Sequence, residues 1–242
     1  MPQKLQVAII GYGRFGALLG KILLPFAEVA FISSKRIRDK RFKQIDFSEL
    51  HTADWIIPAV PISALEATLK KMNPHLTPGS LIMDVCSVKV WPCRWLKKNV
   101  RKDVEIIGTH PMFGPDSAKY GTDGLQLVIC PLRQSEATLT RVQEVFGKMD
   151  LNIIVTTPAE HDRQVAKSLA LVHFIGRGLA GINVKKQPIT TLGFERLLKV
   201  NETVTNDSWQ LFLDMQRFNP YAGKIRQQLL RVLMNVNNKV KK

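Results

Sequence analysis

Six residues, Gly11-Tyr12-Gly13-Arg14-Phe15-Gly16, constrain this chain more than any other stretch, because of what lies on either side of them. Residues 5–10 are a β-branched-rich apolar run that reads as a strand, and Leu18, Leu19, Ile22 and Leu23 recur at helical spacing just after. A GxGxxG pattern alone is a weak signal. Set between a strand and a helix, with residues 28–32 reading as the next strand of a βαβ unit, it predicts a dinucleotide-binding turn. Gly11, Gly13 and Gly16 then supply the tight turn, the backbone's approach to a pyrophosphate at the positive end of the helix, and close packing of helix on strand. Arg14 and Phe15, between the glycines, are further candidates for contact with the cofactor.

The alternation continues. Strands are expected at residues 55–60, 80–86, 104–107, 126–130 and 152–156, with amphipathic helices over 63–72 and 135–149. This predicts an α/β, Rossmann-type doubly wound parallel sheet over residues 1–156. Beyond Pro158 the strand signals stop. Residues 159–182 read as one helix, apolar on nearly all sides from Val165 onward and therefore buried, with Gly176, Gly178 and Gly181 allowing close backbone approach. Shorter helical segments at 191–200, 203–218 and 221–240 complete a second, smaller all-helical domain over 157–242, with Lys239, Lys241 and Lys242 suiting a helix carboxyl end.

The second strand ends in Ser33-Ser34-Lys35-Arg36, where an NAD site usually carries an acid for the ribose 2′-hydroxyl, and no acid follows until Asp39. Small hydroxyls beside cations suit a 2′-phosphate, so the stretch predicts NADP rather than NAD; the plainer alternative is a solvated basic loop. The formal net charge of +15 is spread over both halves of the chain with no recognition motif beside it. It therefore points to an anionic cofactor and an anionic substrate rather than to a specific nucleic acid. No apolar run approaches the roughly 20 residues that span a bilayer, and the opening residues lack signal-peptide architecture, so a cytoplasmic location is expected. Cys86, Cys93 and Cys130 have no metal-ligand spacing and read as structural thiols, with no metal and no disulfide.

The most specific signal is the octapeptide Gly108-Thr109-His110-Pro111-Met112-Phe113-Gly114-Pro115, in which two prolines are expected to hold His110 on a rigid loop at a strand's carboxyl end. With the earlier Asp84-Val85-Cys86-Ser87-Val88-Lys89 and the glycine turn, it resembles the prephenate and arogenate (cyclohexadienyl) dehydrogenases of tyrosine biosynthesis. The resemblance runs from about Leu5 to Tyr221, more specifically in its first two-thirds.

What it implies is NADP-dependent oxidative decarboxylation of prephenate or arogenate, with His110 and Ser87 at the reacting hydroxyl and Val60-Pro61 beside the nicotinamide. It also implies a homodimer made through the helical domain. Ser87 could equally be a helix N-cap. Glu160-His161-Asp162 matches a family motif, although a polar first helical turn explains it as well. His173 matches a histidine that faces substrate in the family, against a plain core histidine, and Ala170 and Val172 depart from a common variant nearby. Arg196 lines up with an arginine that holds the ring carboxylate, a task its planar fork suits, against a surface salt bridge. Two readings compete: another NADP-linked small-acid dehydrogenase of this architecture, and a non-catalytic NADP-binding sensor.

Overall fold

The computed structural model describes residues 4–241; the first three residues and Lys242, which entered the readings of the two chain ends, lie outside it. The chain divides into two compact units, one reaching Pro158 and the other starting at Ala159.

The first unit holds strands β1 (Leu5–Ile10), β2 (Ala27–Ile32), β3 (Lys43–Gln44), β4 (Trp55–Pro58), β5 (Leu81–Asp84), β6 (Glu105–Pro111), β7 (Gln126–Arg133) and β8 (Asn152–Val155). They form one sheet in the order β3-β2-β1-β4-β5-β6-β7-β8. Helices α1 (Arg14–Leu23), α2 (Ile62–Met72), α3 (Val90–Asn99) and α4 (Glu136–Gly147) connect them. Strands β4 and β5 are buried along their whole length, as strands covered on both faces must be. Trp55, Ile57, Met83 and Ile107 share a core cluster with Leu19 and Leu23 of α1 and Val142 and Phe146 of α4. Strand order reverses between β1 and β4, and ligands bind outside the carboxyl ends of strands at such a switch point.

The sheet is parallel with one exception: β6 and β7 pair antiparallel, so β7 and β8 run opposite to the other six strands. Residues 112–125 form turns rather than a crossover helix, and without a crossover the chain can only return antiparallel. The short edge strand β3 gives no apolar run for a sequence reading to find.

His110 does not sit on a loop. Strand β6 continues through it to Pro111, with His110 opposite Val128 and Pro111 opposite Leu127. The reason lies in strand alternation. The Met112 N–H points to β7, donating to the Gln126 carbonyl at 2.8 Å, whereas the Thr109 N–H points the other way, to Asp84. An N–H at Pro111 would also point toward β5, which has already ended at Asp84, so a proline there interrupts no ladder bond.

The second unit is helical, built from α5 (Pro158–Lys167), α6 (Leu169–Gly181), α7 (Leu192–Thr205), α8 (Trp209–Phe218) and α9 (Ala222–Val240). The single helix expected over 159–182 is broken at Ser168, whose backbone leaves the helical region at φ −108° and ψ −87° and whose hydroxyl donates back to the Gln164 carbonyl at 3.1 Å. Thr191 and Ser208 open α7 and α8 as N-caps, which places the start of α8 later than the expected 203. Helix α6 is not wholly buried either: Val172 is exposed, and so is Ile182 just after the helix. Of its three glycines only Gly176 makes a close approach, since a Cβ there would stand 2.2 Å from Val204 of α7, while Gly178 and Gly181 face open space. Helix α9 buries only Ala222 and leaves Leu230, Leu233, Met234 and Val236 exposed.

Candidate active site

The glycine turn has the geometry its sequence implies. Gly11 sits at φ +109°, and a Cβ there would stand 2.4 Å from the Ala59 carbonyl at the end of β4, so both conformation and space demand glycine. Gly13 opens α1 in extended conformation with no side chain capping the helix, and nothing lies within 4 Å of where its Cβ would be. The first turn of α1 carries no acid. Uncapped amides, a bare backbone and the positive helix end together fit the pyrophosphate of a dinucleotide. Arg14, the first residue of α1, places Nη2 3.1 Å from Asp116 Oδ2, and the Phe15 ring lies 6.3 Å from that of Phe113. Residues 113–116 are thereby tied to the glycine turn. Val60 and Pro61 follow Ala59, with Pro61 at the N-cap position of α2.

At the end of β2 the basic stretch is an ordered turn. Ser33 Oγ accepts from the Lys35 N–H at 3.0 Å, and Gln44 of β3 pins the segment by donating to the Ser33 carbonyl at 2.8 Å and accepting from the Ile37 N–H at 3.1 Å. Ser34, Lys35 and Arg36 are exposed beside it. The nearest acid, Asp39, is engaged by Arg41 at 2.7 Å, whose hydrogen bonds hold its carboxyl down at about 2.

Ser87 and His110 lie beyond the paired ends of neighbouring strands, since β5 and β6 stop pairing at Asp84 and Gly108. Ser87 is not the N-cap of α3; Lys89 holds that position, and the Ser87 Oγ is buried with no hydrogen-bond partner. A buried hydroxyl oxygen left without a partner costs free energy and is where a ligand's polar group would be received. His110 is 5 % exposed. Around these two residues runs a polar network that the sequence left without a role. Lys89, fully buried, donates from Nζ to the equally buried Asp84 carboxylate and to the Thr109 carbonyl. Asp84 also accepts from the Cys86 N–H at 3.1 Å and the Thr109 N–H at 3.3 Å, while Thr109 Oγ1 donates to the Asp84 carbonyl. Burial, the largest single influence, opposes the Lys89 charge, but its surroundings, the Asp84 carboxylate first among them and then Cys93 and Cys86, together hold the ammonium's pKa above its ordinary value. Burial, with Asp84 second, pushes the neighbouring Cys86 thiol well up, so it stays protonated.

The remaining candidates belong to the helical unit. His161 and Asp162 on α5 are buried, not a solvated first turn: Nδ1 lies 2.8 Å from Asp162 Oδ1, and Asn219 donates to the Asp162 carbonyl at 2.8 Å. Glu160 alone behaves as a surface residue, engaging Arg163 and Gln164. His173 on α6 is buried with Nδ1 unpaired, and its Nε2 stands 3.8 Å from Asp207 Oδ2. Burial lowers its pKa; Asp207 acts in the opposite sense and Arg177 adds to the lowering. Arg177, one turn further on, donates to the Asp207 carbonyl and lies over the Trp209 ring at 4.5 Å. Arg196 is exposed on α7.

A groove of about 250 Å³ lined by Asp54, Ser80, Glu105 and Arg141 opens at the amino-terminal edge of β4 to β6, the edge opposite the glycine turn, Ser87 and His110.

Comparison with known proteins agrees with this geometry. A family model described as "Prephenate dehydrogenase, nucleotide-binding domain" matches residues 32–155, about half of the chain. The chain belongs to the prephenate/arogenate dehydrogenase family. A second model, a TYRAAT1-like C-terminal domain, matches residues 178–242. Arogenate dehydrogenase 2 of Arabidopsis thaliana, a chloroplastic protein, is 29 % identical over 90 % of this chain and 65 % of its own length. The chain spans between about a third and two thirds of the length of three curated relatives it matches. Two solved structures share the fold. The arogenate dehydrogenase of Synechocystis superposes with a TM-score of 0.70 at 22 % identity, covering 97 % of this chain and 93 % of that one. The prephenate dehydrogenase of A. aeolicus, solved with hydroxyphenyl propionate and NAD+, gives 0.78 at 16 % identity, covering 98 % and 91 %. Among the described residues of this family member no helix is long and apolar enough to cross a membrane.

Proposed function

We propose that this family member catalyses NADP-dependent oxidative decarboxylation of prephenate or arogenate. The observation that carries the reading is the unpartnered, buried Ser87 hydroxyl beyond the end of β5, beside a strand that carries His110, at the same sheet edge as the glycine turn. A bound nicotinamide supplies the hydride acceptor. The glycine turn and first turn of α1 hold the pyrophosphate, Val60 and Pro61 flank the nicotinamide, and Ser33, Ser34, Lys35 and Arg36 receive the 2′-phosphate. Ser33 does so through its backbone turn as well as its hydroxyl.

The protein's own residues then orient the ring and move one proton. Ser87 Oγ and His110 receive the ring hydroxyl; His110 takes the hydroxyl proton as hydride departs from the carbon that bears it, and the electron pair of the breaking bond to the ring carboxylate runs through the ring to that oxygen, releasing carbon dioxide, while His110 returns the proton to the phenolic oxygen. Aromatisation makes the step irreversible. Arg196 is proposed to hold the ring carboxylate, its exposure on α7 leaving the guanidinium available, and His161 and His173 are proposed to contact the rest of the substrate. Helix α9 supports a homodimer, because a row of exposed apolar side chains on a nineteen-residue helix is what an interface covers.

The test is purified protein with prephenate and with arogenate, each crossed with NADP and NAD and followed by nicotinamide absorbance. Turnover of one acid with NADP favoured is expected. Binding of NADP without turnover of either would replace this reading with that of a sensor.

A further inference from the structure

Lys89 and Asp84 are both fully shielded from solvent, close in the chain to the groups that carry the proposed chemistry. Burying such a pair is costly, and apolar residues of similar volume commonly serve a fold as well or better. Their hydrogen bonds show what the pair does instead. The β5–β6 ladder ends at Asp84 opposite Gly108, so no further strand residue is there to meet the next rung of β6. That rung is the N–H and carbonyl of Thr109. The Asp84 carboxylate accepts the N–H at 3.3 Å, and Lys89 Nζ donates to the carbonyl. Two side chains thus substitute for a missing strand residue. The residue they hold is the one immediately before His110.

The same carboxylate accepts the Cys86 N–H at 3.1 Å, fixing the turn immediately before Ser87. Lys89 lies two residues beyond Ser87 and ties that side of the turn back to the carboxylate. One carboxylate and one ammonium therefore set the backbone on the approach to both Ser87 and His110. Thr109 Oγ1, donating to the Asp84 carbonyl, adds a third tie between the two strand ends. We propose that the buried Lys89–Asp84 pair is a positioning clamp that fixes the spacing of Ser87 and His110 where the strand ladder no longer can. The clamp serves the oxidative decarboxylation proposed for this protein and rests on that reading for its purpose.

Lys89→Met keeps the stem and removes the ammonium; Asp84→Leu/Lys89→Met removes both charges, leaving no lone buried carboxylate. Each is compared with the wild type by thermal unfolding, by titration with NADP, by the NMR signals of the His110 imidazole, and by kcat and KM. Both variants are expected to bind NADP within about threefold of the wild type, since the glycine turn is untouched. The double variant should unfold no lower than Lys89→Met. Both should show shifted and broadened His110 signals, with kcat down about a hundredfold, the scale of a misplacement near 1 Å. A purely structural pair predicts the opposite coupling, with activity recovering as stability recovers. A folded, cofactor-binding double variant with wild-type His110 signals and kcat within about threefold would overturn the clamp. So would failure of both variants to fold, which would make the pair a requirement of the fold. Should the wild type turn over neither acid, the functional reading fails, and the NMR comparison still judges the clamp.

Discussion

His110 and His173 are both buried histidines, and their surroundings give them different work. His110, the proposed base, stands near the carboxyl end of β6, where an imidazole can accept a proton as hydride leaves. His110→Asn keeps some hydrogen bonding but cannot take the proton, so kcat should fall by about 10² to 10⁴ with NADP affinity nearly unchanged. Retention of more than about a third of wild-type kcat, with chemistry limiting, would remove the general-base role. His173 has its pKa lowered by burial, so the folded protein binds its proton less readily than the unfolded chain. Its contribution to stability is complete above the unfolded pKa and is lost as pH falls through and below it. Thermal unfolding followed from pH 7 down to about 5 should fall less steeply in His173→Gln than in the wild type. Equal slopes would show that the proton is not excluded at His173.

Among the elements, the turn after β2 is the one proposed to carry the choice of cofactor. Its backbone is set by Gln44 and by the Ser33 hydroxyl, so an acid at position 33 would stand where the ribose is received without rebuilding the strand. Ser33→Asp should lower kcat/KM with NADP and raise it with NAD, through repulsion of the 2′-phosphate and a new acceptor for the 2′-hydroxyl. Equal or better efficiency with NAD in the unaltered protein would remove the NADP assignment. Elements also show where periodicity stops being informative. The break at Ser168 falls inside an otherwise helical pattern, and β6 passes through Pro111 because its neighbour has ended. Neither is visible in the segment's own apolar spacing.

For the whole molecule, the question of assembly centres on the helical unit. Leu230, Leu233, Met234 and Val236 are each about half exposed or more on α9, with Val172, Leu197 and Val200 also uncovered on α6 and α7. A small unit that leaves this much apolar surface in water is expected to cover it with a second copy. Sedimentation should give a dimer at micromolar concentration, weakened by Leu233→Glu. A stable monomer at that concentration would show that the face is left open.

Sequence alone determined the order of the strands in the first unit apart from the short edge strand β3, because fully buried strands must be continuous apolar runs and the glycine turn tolerates no other residue at Gly11. It also carried the resemblance to the family, through Ser87, His110 and their neighbours. The rest needed tertiary structure. Whether Ser87 capped a helix depended on where α3 begins, and the purpose of Lys89 depended on Thr109, twenty residues away and one strand across. Which sides of α6 and α9 are uncovered depended on which helices pack against them. Periodicity records which side of an element is apolar; what meets that side, or completes a ladder where a strand stops, is decided by segments distant in the chain.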